Sequence, residues 1–338
     1  MALSKNRIGV LIAQIGTPAA PTPAALRPYL KQFLSDPRVV DLPRWKWLPL
    51  LYLFVLTLRP ARSARLYRRI WTANGSPLLI HSRAQEEGLQ TRLGDRFRVV
   101  LGMRYGEPSI DSAMISLLQA GVDRVLVFPM FPQFSASTTG SIYDAVTRAA
   151  MGRRGFWFFE RRRVMPTLRF VPPYFGHPAY VGALNTSLRE QLAGLGAKPD
   201  RVLLTFHGIP NRYVLEGDPY REQCETTARL LAQALGLGEG EWVIGFQSRF
   251  GKEAWLQPYT EDILSALGKE GVGLLLASCP GFTVDCLETL DEIGNEGAQL
   301  FADAGGKQLH LSPCLNDHPA WLDAMAEITR EETAGWNE

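Results

Sequence analysis

Short apolar runs recur along the chain and alternate with longer segments of helical character. The runs lie at residues 7–15, 97–103, 124–128, 168–171, 201–206, 272–278 and 308–312. Helices are expected at residues 24–34, 82–93, 110–120 and 320–332. Apolar runs of this length are typical of strands buried on both faces of a parallel sheet. Because strands and helices alternate, the pattern predicts an α/β protein with right-handed crossovers.

The second half of the chain repeats the order of the first. Residues 201–210 correspond to residues 9–18, and two later pairs of segments follow in the same order. This repetition predicts two similar α/β domains that face each other. We expect an N-terminal domain at 1–172, a C-terminal domain at 173–315, and a final segment at 316–338 whose helix packs back on the first domain.

Composition narrows the class of protein. The chain has 338 residues, is 46% hydrophobic and carries a net charge of +2. This charge argues against a general nucleic-acid binder, which would be more basic. Residues 1–5 lead straight into the first strand and do not fit a signal peptide. The cysteines form no C-x-x-C pair, so we expect free thiols and a cytoplasmic protein.

Residues 44–71 differ in composition from the rest. The run at 48–58 is apolar on all sides, and arginines and lysine flank it. It is too short to span a bilayer, which needs about 20 residues. Trp45, Trp47 and the basic flanks favour a segment that lies at a membrane interface. The alternative is a buried core helix with a solvated arginine face.

A series of carboxylates follows the apolar run at 272–278. Pro280 and Gly281 end that run, and Asp285 is expected to cap a helix that begins at Cys286. Three glutamates four positions apart share one face of this helix, namely Glu288, Glu292 and Glu296. They are either a solvated acidic face or a set that a divalent cation or protons would stabilise.

His207 directly follows another expected strand, so it and Glu288 occupy matching strand ends of one sheet. In open α/β sheets, ligands bind just outside the carboxyl ends of the strands. An imidazole with a carboxylate suits divalent Fe, Co, Ni or Zn. The same pair suits removal of a proton near neutral pH. A purely structural histidine is the alternative.

Other strand ends carry candidate binding groups. Arg104 is suited to a bidentate contact with a substrate carboxylate, and Tyr105 to stacking or donating a hydrogen bond. Trp255 offers a large flat face, for a ligand or for the core. Hydroxyls at 135–139 suit an anion site or simple helix capping. The basic, aromatic residues 152–163 are expected to form a surface loop.

Several motifs, in order and at this spacing, carry a resemblance to a known family. They are IGTP at 15–18, YRRIWTANGSPL at 67–78, MRYGEP at 103–108, FPQFSASTTGS at 131–141, FHGIP at 206–210, GDPY at 217–220, QSRFG at 247–251, WLQP at 255–258 and FTVDCLETL at 282–290. With them the chain resembles the ferrochelatases, which insert ferrous iron into a porphyrin in haem synthesis. The resemblance runs from residue 9 to about residue 321.

The resemblance implies two similar Rossmann-like domains, each with a four-stranded parallel sheet flanked by helices, and a porphyrin cleft between them. It implies a lyase that makes protohaem from protoporphyrin IX in the last step of haem biosynthesis. His207 and Glu288 fall on metal-site and proton-handling positions, and Arg104 on a porphyrin-carboxylate contact. The further pocket positions are Tyr67, Ser76, Trp255, Phe282 and Asp285.

The resemblance also suggests how the chemistry proceeds. Walls that bear Ile15, Trp255 and Phe282 would bend the macrocycle, a strain of about 1–5 kcal/mol. His207 is the expected proton acceptor. Glu292 and Glu296, behind Glu288, would pass metal in or protons out, and both directions stay open. The segment at 48–58 falls on a pocket lip that touches the bilayer in membrane-associated members.

Two departures from the family pattern matter. Cys286 stands where some members have histidine. Ala136 stands where cluster-bearing members have cysteine, and no cysteine follows Cys314. We therefore expect no iron–sulfur cluster and no permanently bound cofactor, with Fe²⁺ and porphyrin as substrates.

Other functions remain open at this stage. The alternatives are a coproporphyrin ferrochelatase and a cobalt or nickel chelatase for another tetrapyrrole. A haem or porphyrin carrier without turnover is the alternative from a different class. The uncharged lip favours the less acidic protoporphyrin. We expect a cytoplasmic protein with peripheral contact to the inner membrane through 48–58. No feature of the sequence sets an oligomeric state.

Overall fold

The computed structural model describes residues 7–152 and 165–336. The chain divides into two compact units. The first comprises Met1–Phe131, Ser135–Pro172 and Met325–Glu338, and the second Pro132–Phe134 and Pro173–Ala324. One division between the units falls after Pro172 and another after Ala324, within the segment 316–338. The expected surface loop at 152–163 lies, apart from its first residue, outside the described residues.

The first unit contains a four-stranded, all-parallel sheet in the order β2-β1-β3-β4. Its strands are β1 (Ile8–Gly16), β2 (Phe97–Tyr105), β3 (Arg124–Pro129) and β4 (Thr167–Phe170). The central strand β1 is buried along nearly its whole length, as continuous apolar runs require. All four strands were predicted from the apolar runs.

Helices flank this sheet. They are α1 (Pro23–Leu34), α2 (Arg44–Leu50), α3 (Leu56–Ile70), α4 (Pro77–Leu93), α5 (Ile110–Gln119) and α6 (Ser141–Met151). One apolar core cluster joins α5 and α6 to the sheet, with Leu11, Met114 and Val146 fully buried. The expected helices of this unit are confirmed, although α4 begins five residues earlier than expected because Pro77 suits a first helical position.

Residues 44–70 form a continuous helical run with a π-helical turn at Leu51–Val55 between α2 and α3. Within 48–58, only Leu51 and Leu56 are buried. Leu53 is 66% and Leu58 73% exposed, and Trp45 outside the run is 75% exposed. The alternative of a buried core helix is therefore wrong. Among the described residues, no helix is long and apolar enough to cross a membrane.

The second unit repeats the topology of the first, in the order β6-β5-β7-β8 with all neighbours parallel. Its strands are β5 (Arg201–His207), β6 (Trp242–Gln247), β7 (Leu274–Ser278) and β8 (Gln308–Leu311). The prediction of two similar α/β domains is confirmed. The apolar runs did not single out β6, whose first three residues are only partly buried.

Helices of the second unit are α7 (Pro178–Gly194), α8 (Asn211–Leu215), α9 (Tyr220–Leu235), α10 (Thr260–Lys269) and α11 (Ala298–Asp303). A π-helix at Glu288–Gly297 runs directly into α11. The last helix, α12 (Pro319–Glu332), begins in the second unit and ends in the first. These bounds place His207, Gln247 and Ser278 at carboxyl ends of neighbouring strands.

Candidate functional site in the second unit

The three glutamates lie on a π-helix and not on the expected α-helix. Residues Glu288–Gly297 are π-helical over ten positions. Hydrogen bonds in a π-helix span one residue more than in an α-helix, so its turn is wider, and such segments occur frequently at functional sites. Glu288 and Glu292 are half-buried, whereas Glu296 is exposed. The first two therefore face the protein and the third lies at the surface.

Asp285 does not cap this helix, contrary to expectation. The helix has no side-chain cap. The Asp285 carboxylate accepts instead from the hydroxyl of Thr289 at 3.0 Å and from Nδ2 of Asn316 at 2.7 Å. It also accepts from the backbone N–H of Cys314 at 3.3 Å. Because both oxygens are engaged and the residue is buried, Asp285 anchors the segment before the π-helix to residues 314–316.

His207 is the last residue of β5 and is half-buried. Its Nδ1 lies 2.6 Å from the carbonyl oxygen of Gly208. Since a carbonyl oxygen only accepts, Nδ1 carries the proton in the neutral ring. The lone pair is then on Nε2, which is free to take up a proton or bind a metal ion.

Trp255 lies beside His207, with 6.4 Å between the ring centroids and 50° between the ring planes. A bridge to Pro210 and a hydrogen bond from Leu256 N–H to the carbonyl of Ile209 hold its backbone. A Cβ at Gly208 would approach Trp255 Cε3 to 3.3 Å and the Gln247 carbonyl oxygen to 2.9 Å. Glycine at 208 therefore permits this close approach of Trp255 to the segment that carries the imidazole.

Glu292 connects the histidine and the carboxylates. Burial raises the pKa of its carboxyl group, and the neighbouring charge of Glu288 raises it further. A 2.6 Å hydrogen bond from the Ser248 hydroxyl and the charge of His207 partly offset this shift. Glu292 therefore interacts with both predicted catalytic residues. The structure thus brings His207, Glu288 and Glu292 together within the second unit.

Sequence reasoning missed two residues of this site, Gln247 and Ser248. Gln247 ends β6 in register with His207, and its Nε2 donates to the backbone carbonyl of Glu288 at 2.7 Å. The signal that identified His207, a polar residue at the carboxyl end of a strand, also applies to them. It was overlooked because β6 itself was not recognised as a strand.

Phe282 lies in the turn between β7 and the π-helix, and its N–H donates to the carbonyl of Cys279. It is half-buried and packs against the core cluster under β7. Among the described residues, no group of three or more His, Cys, Asp or Glu side chains is arranged to hold a metal ion. The four cysteines are all buried free thiols, as expected.

The predicted contact residues Arg104 and Tyr105 belong to one polar cluster of the first unit. Arg104 donates to Asp36 through Nη2 and to the Ser141 hydroxyl through Nε. Tyr105 is only 1% exposed, and its hydroxyl donates to Asp36 at 2.8 Å. Their roles toward a substrate stay predictions.

Asp36 is the centre of this polar cluster. Burial alone would raise the pKa of its carboxyl group. Hydrogen bonds from Ser141, the Arg38 N–H and Tyr105, with the charge of Arg104, outweigh burial and lower it. The cluster is thus a buried, satisfied network that ties residues 36, 104 and 141 together.

The remaining predicted binding residues of the first unit are largely buried by contacts within the protein. Ser76 is buried and shares a 2.8 Å hydrogen bond with the Thr17 hydroxyl. Tyr67 is buried, and its ring packs against Trp71 in a T-shaped arrangement. Ile15 is half-buried near the carboxyl end of β1. Of these three residues, only Ile15 is partly exposed to solvent.

The hydroxyl-rich segment at 135–139 caps a helix. Ser135 accepts from the Ser137 N–H at 3.3 Å, and the Thr138 hydroxyl donates to the Ser135 carbonyl. The segment continues through a π-helical turn into α6. Of the two interpretations, helix capping is therefore the one that the structure shows.

Comparison with known proteins adds an independent finding. The model of the family described as Ferrochelatase matches residues 7–333. A protein named Ferrochelatase from Thioalkalivibrio sulfidiphilus is 49% identical, over 99% of this chain and 89% of its own length. One from Edwardsiella ictaluri is 48% identical, over 95% of this chain and 96% of its own.

Solved structures are similar in fold at low sequence identity. A structure titled SirB from Bacillus subtilis with Fe3+ superposes with a TM-score of 0.58 at 16% identity. The alignment covers 97% of this chain and 96% of that chain. A sirohydrochlorin chelatase SirB in complex with cobalt gives 0.56 at 14% identity, over the same shares. At these identities the likeness concerns the fold alone.

Proposed function

This chain belongs to the ferrochelatase family, and we propose that it inserts ferrous iron into protoporphyrin IX as the last step of haem biosynthesis. Iron insertion into a porphyrin is the activity of the family. The observation that carries the assignment of residues is the free Nε2 of His207 beside the half-buried glutamates of the π-helix. The preference for protoporphyrin rests on the apolar, exposed segment at 48–58, which suits the less acidic substrate.

His207 acts as the proton acceptor in this proposal. Insertion of a metal ion requires that two pyrrole N–H groups lose their protons. The Gly208 carbonyl holds the Nδ1–H, so the lone pair of Nε2 is available. Trp255 beside it supports the macrocycle plane and keeps bulk water away from the imidazole.

Glu288 and Glu292 receive the proton or the arriving metal ion. The raised pKa of the Glu292 carboxyl group supports proton transfer, because such a group exchanges protons nearer to neutral pH than an ordinary glutamate does. The exposure of Glu296 makes it the solvent end of the path. Entry of metal along the same glutamates is the competing outcome of the kinetic test described in the Discussion.

Arg104 is proposed to contact the porphyrin carboxylate. Its Nη2 donates to Asp36 and its Nε to the Ser141 hydroxyl, so the position of the guanidinium is fixed. A substrate carboxylate would bind it through charge-assisted hydrogen bonds.

One variant tests this role with two substrates. Arg104→Gln is expected to raise the KM for protoporphyrin about tenfold, the usual effect of one lost charged hydrogen bond. With the dimethyl ester of protoporphyrin, which has no carboxylate, Arg104→Gln and the unaltered protein should have the same KM. An unchanged KM for protoporphyrin in a folded Arg104→Gln variant would remove Arg104 from the binding site.

The exposed segment at 48–58 is proposed to bind the membrane surface. Leu53, Phe54 and Leu58 are 57–73% exposed, and basic residues flank them on both sides. Apolar side chains with a basic margin bind an anionic lipid surface through burial and charge together. We propose peripheral contact with the cytoplasmic face of the inner membrane.

The protein is proposed to need no iron–sulfur cluster. All four cysteines are buried, and burial raises the pKa of each thiol well above its usual value. Cluster ligands are thiolates, which such surroundings disfavour. Protein purified under anaerobic conditions should contain no acid-labile sulfide, the inorganic component of every such cluster. Stoichiometric iron with sulfide would contradict this.

One anaerobic experiment tests the function as a whole. The protein is incubated with Fe²⁺ and either protoporphyrin IX or coproporphyrin, and the change in absorbance is followed. Faster turnover with protoporphyrin is expected. Faster turnover with coproporphyrin would show that coproporphyrin is the substrate. Faster insertion of Co²⁺ or Ni²⁺ in competition would show that the protein is a cobalt or nickel chelatase. Binding of the porphyrin without insertion would indicate a carrier.

A further inference from the structure

Two consecutive residues at the end of β6 contact the same π-helix. The Gln247 amide donates to the carbonyl oxygen of Glu288 at 2.7 Å. The Ser248 hydroxyl donates to the Glu292 carboxylate at 2.6 Å. The two contacts fall on residues four apart in the π-helix. They are therefore on successive turns of its acidic face.

An extended strand cannot make both contacts, since successive side chains of a strand point to opposite faces of the sheet. Gln247 is the last residue of β6. Ser248 follows it with a φ of 66°, in the left-handed region that residues other than glycine seldom adopt. This reversal of the backbone allows the side chains of both residues to face the helix. The strained backbone at Ser248 is therefore what brings both side chains to the same helix.

Gln247 is itself held rigidly. It is 3% exposed, and its Oε1 accepts from the Thr205 hydroxyl at 3.0 Å. Thr205 in turn shares a 2.7 Å hydrogen bond with Thr260 on α10. The Gln247 carbonyl oxygen accepts from the Gly208 N–H at 2.8 Å. One residue therefore connects the segment that carries His207 with the backbone of Glu288.

We propose that Gln247 and Ser248 are the positioning residues of the glutamate face, with Gln247 fixing the backbone at Glu288 and Ser248 fixing the carboxylate of Glu292. The proposal rests on the proposed function, because it assigns these residues a part in iron insertion. Neither residue contacts a substrate in this role. They hold the two carboxylates in register with His207.

Substitutions at Ser248 separate the hydroxyl from the backbone. Ser248→Ala removes the hydroxyl and keeps the unfavourable φ. Ser248→Gly also removes the hydroxyl but suits a positive φ, so it should resist urea better than Ser248→Ala does. Both are expected to lose about tenfold in kcat/KM for Fe²⁺ with protoporphyrin IX, the effect of one lost hydrogen bond to a charged group. Ser248→Asn, which tolerates this φ and offers an amide donor, should recover part of the loss.

Stability and activity therefore move apart if the proposal holds. If Ser248→Gly instead has the activity of the unaltered protein, Ser248 acts only through its backbone and its part in the proposal is overturned. Ser265→Ala on α10 is the matched control, because Ser265 is a half-buried serine of the same unit outside the site. It should match the unaltered protein in both measurements.

Gln247→Met keeps the size of the side chain and removes both of its hydrogen bonds. It should lower kcat severalfold while leaving the KM for protoporphyrin unchanged. Amide hydrogen exchange at residues 288–293 should become faster in this variant and not in Ser265→Ala. If the amide hydrogen exchange is unchanged, Gln247 does not fix the backbone at Glu288, and this part of the proposal is overturned whatever the activity is.

The two proposals fail in different ways. If the unaltered protein does not insert iron, the proposed function fails, and the exchange experiment still decides whether Gln247 holds the π-helix. If the unaltered protein inserts iron while the variants at 247 and 248 match Ser265→Ala, only the positioning proposal fails.

Discussion

The Nδ1 of His207 lies 2.6 Å from the carbonyl oxygen of Gly208, the next residue in the chain. This contact fixes which ring nitrogen carries the proton in the neutral imidazole, and so leaves Nε2 as the reactive atom. The strand β5 therefore sets the position of His207, and the carbonyl of the next residue sets its tautomer.

Replacing His207 tests its role as proton acceptor. His207→Ala should lower kcat by at least about 100-fold, within the range of general-base catalysis, while protoporphyrin still binds. Fluorescence quenching of the porphyrin measures binding, and anaerobic absorbance measures insertion. A folded variant with near-normal turnover would remove His207 from the mechanism. His310, a histidine of β8 in the same unit, provides the control as His310→Ala.

The three glutamates should not be equivalent. Glu288→Gln should cost most of the rate. Glu292→Gln should cost less, and Glu296→Gln least, because Glu296 is exposed and water can bridge a gap in a path. If the path carries metal, the losses grow as Fe²⁺ becomes limiting, and if it carries protons, they do not. Equal and small effects at all three positions, within about 0.5 kcal/mol in stability, would make this a solvated face.

The ion pair of Asp36 and Arg104 should stabilise the first unit in a pH-dependent way. The pKa of Asp36 is lower in the folded protein than in the unfolded chain, so the contribution is present above about pH 4 and is lost as the pH falls through the folded pKa. Asp36→Asn should therefore cost about 3 kcal/mol at pH 7. The difference from the unaltered protein should shrink in acid. Urea unfolding at several pH values measures it.

Asp144 offers the control for Asp36. It pairs with Arg38 at the surface, where both side chains are about 40% exposed. Asp144→Asn should cost less than about 1 kcal/mol. A loss at Asp36 no larger than that at Asp144, or one independent of pH, would contradict the account of the buried network.

Membrane contact is tested on side chains that are exposed. Leu53→Asp with Phe54→Asp should reduce co-sedimentation with vesicles that contain anionic lipid, and leave unfolding nearly unchanged. Leu51 in the same run is fully buried, so Leu51→Asp should destabilise the protein instead. Equal co-sedimentation of the unaltered protein and the double variant at low salt would exclude this surface.

The sequence by itself determined the architecture and the two predicted catalytic residues, His207 and Glu288. Apolar runs predicted seven of the eight strands, because a strand buried on both faces must be apolar throughout. The position of His207 followed from the same rule, since ligand groups gather where parallel strands end. The spacing of the carboxylates after the run at 272–278 singled out Glu288, and the large flat side chain singled out Trp255. The structure places both in the same unit as His207.

Only the tertiary structure decided the rest, because hydrogen-bond partners far apart in sequence compete with local preferences. The spacing of the glutamates predicted an α-helix, whereas the folded chain forms a π-helix. Arg104 forms an ion pair with Asp36, 68 residues away, which no local pattern in the sequence indicates. Ser248 follows a strand that the apolar runs did not single out, and its role depends on a backbone angle and on a carboxylate 44 residues further along the chain.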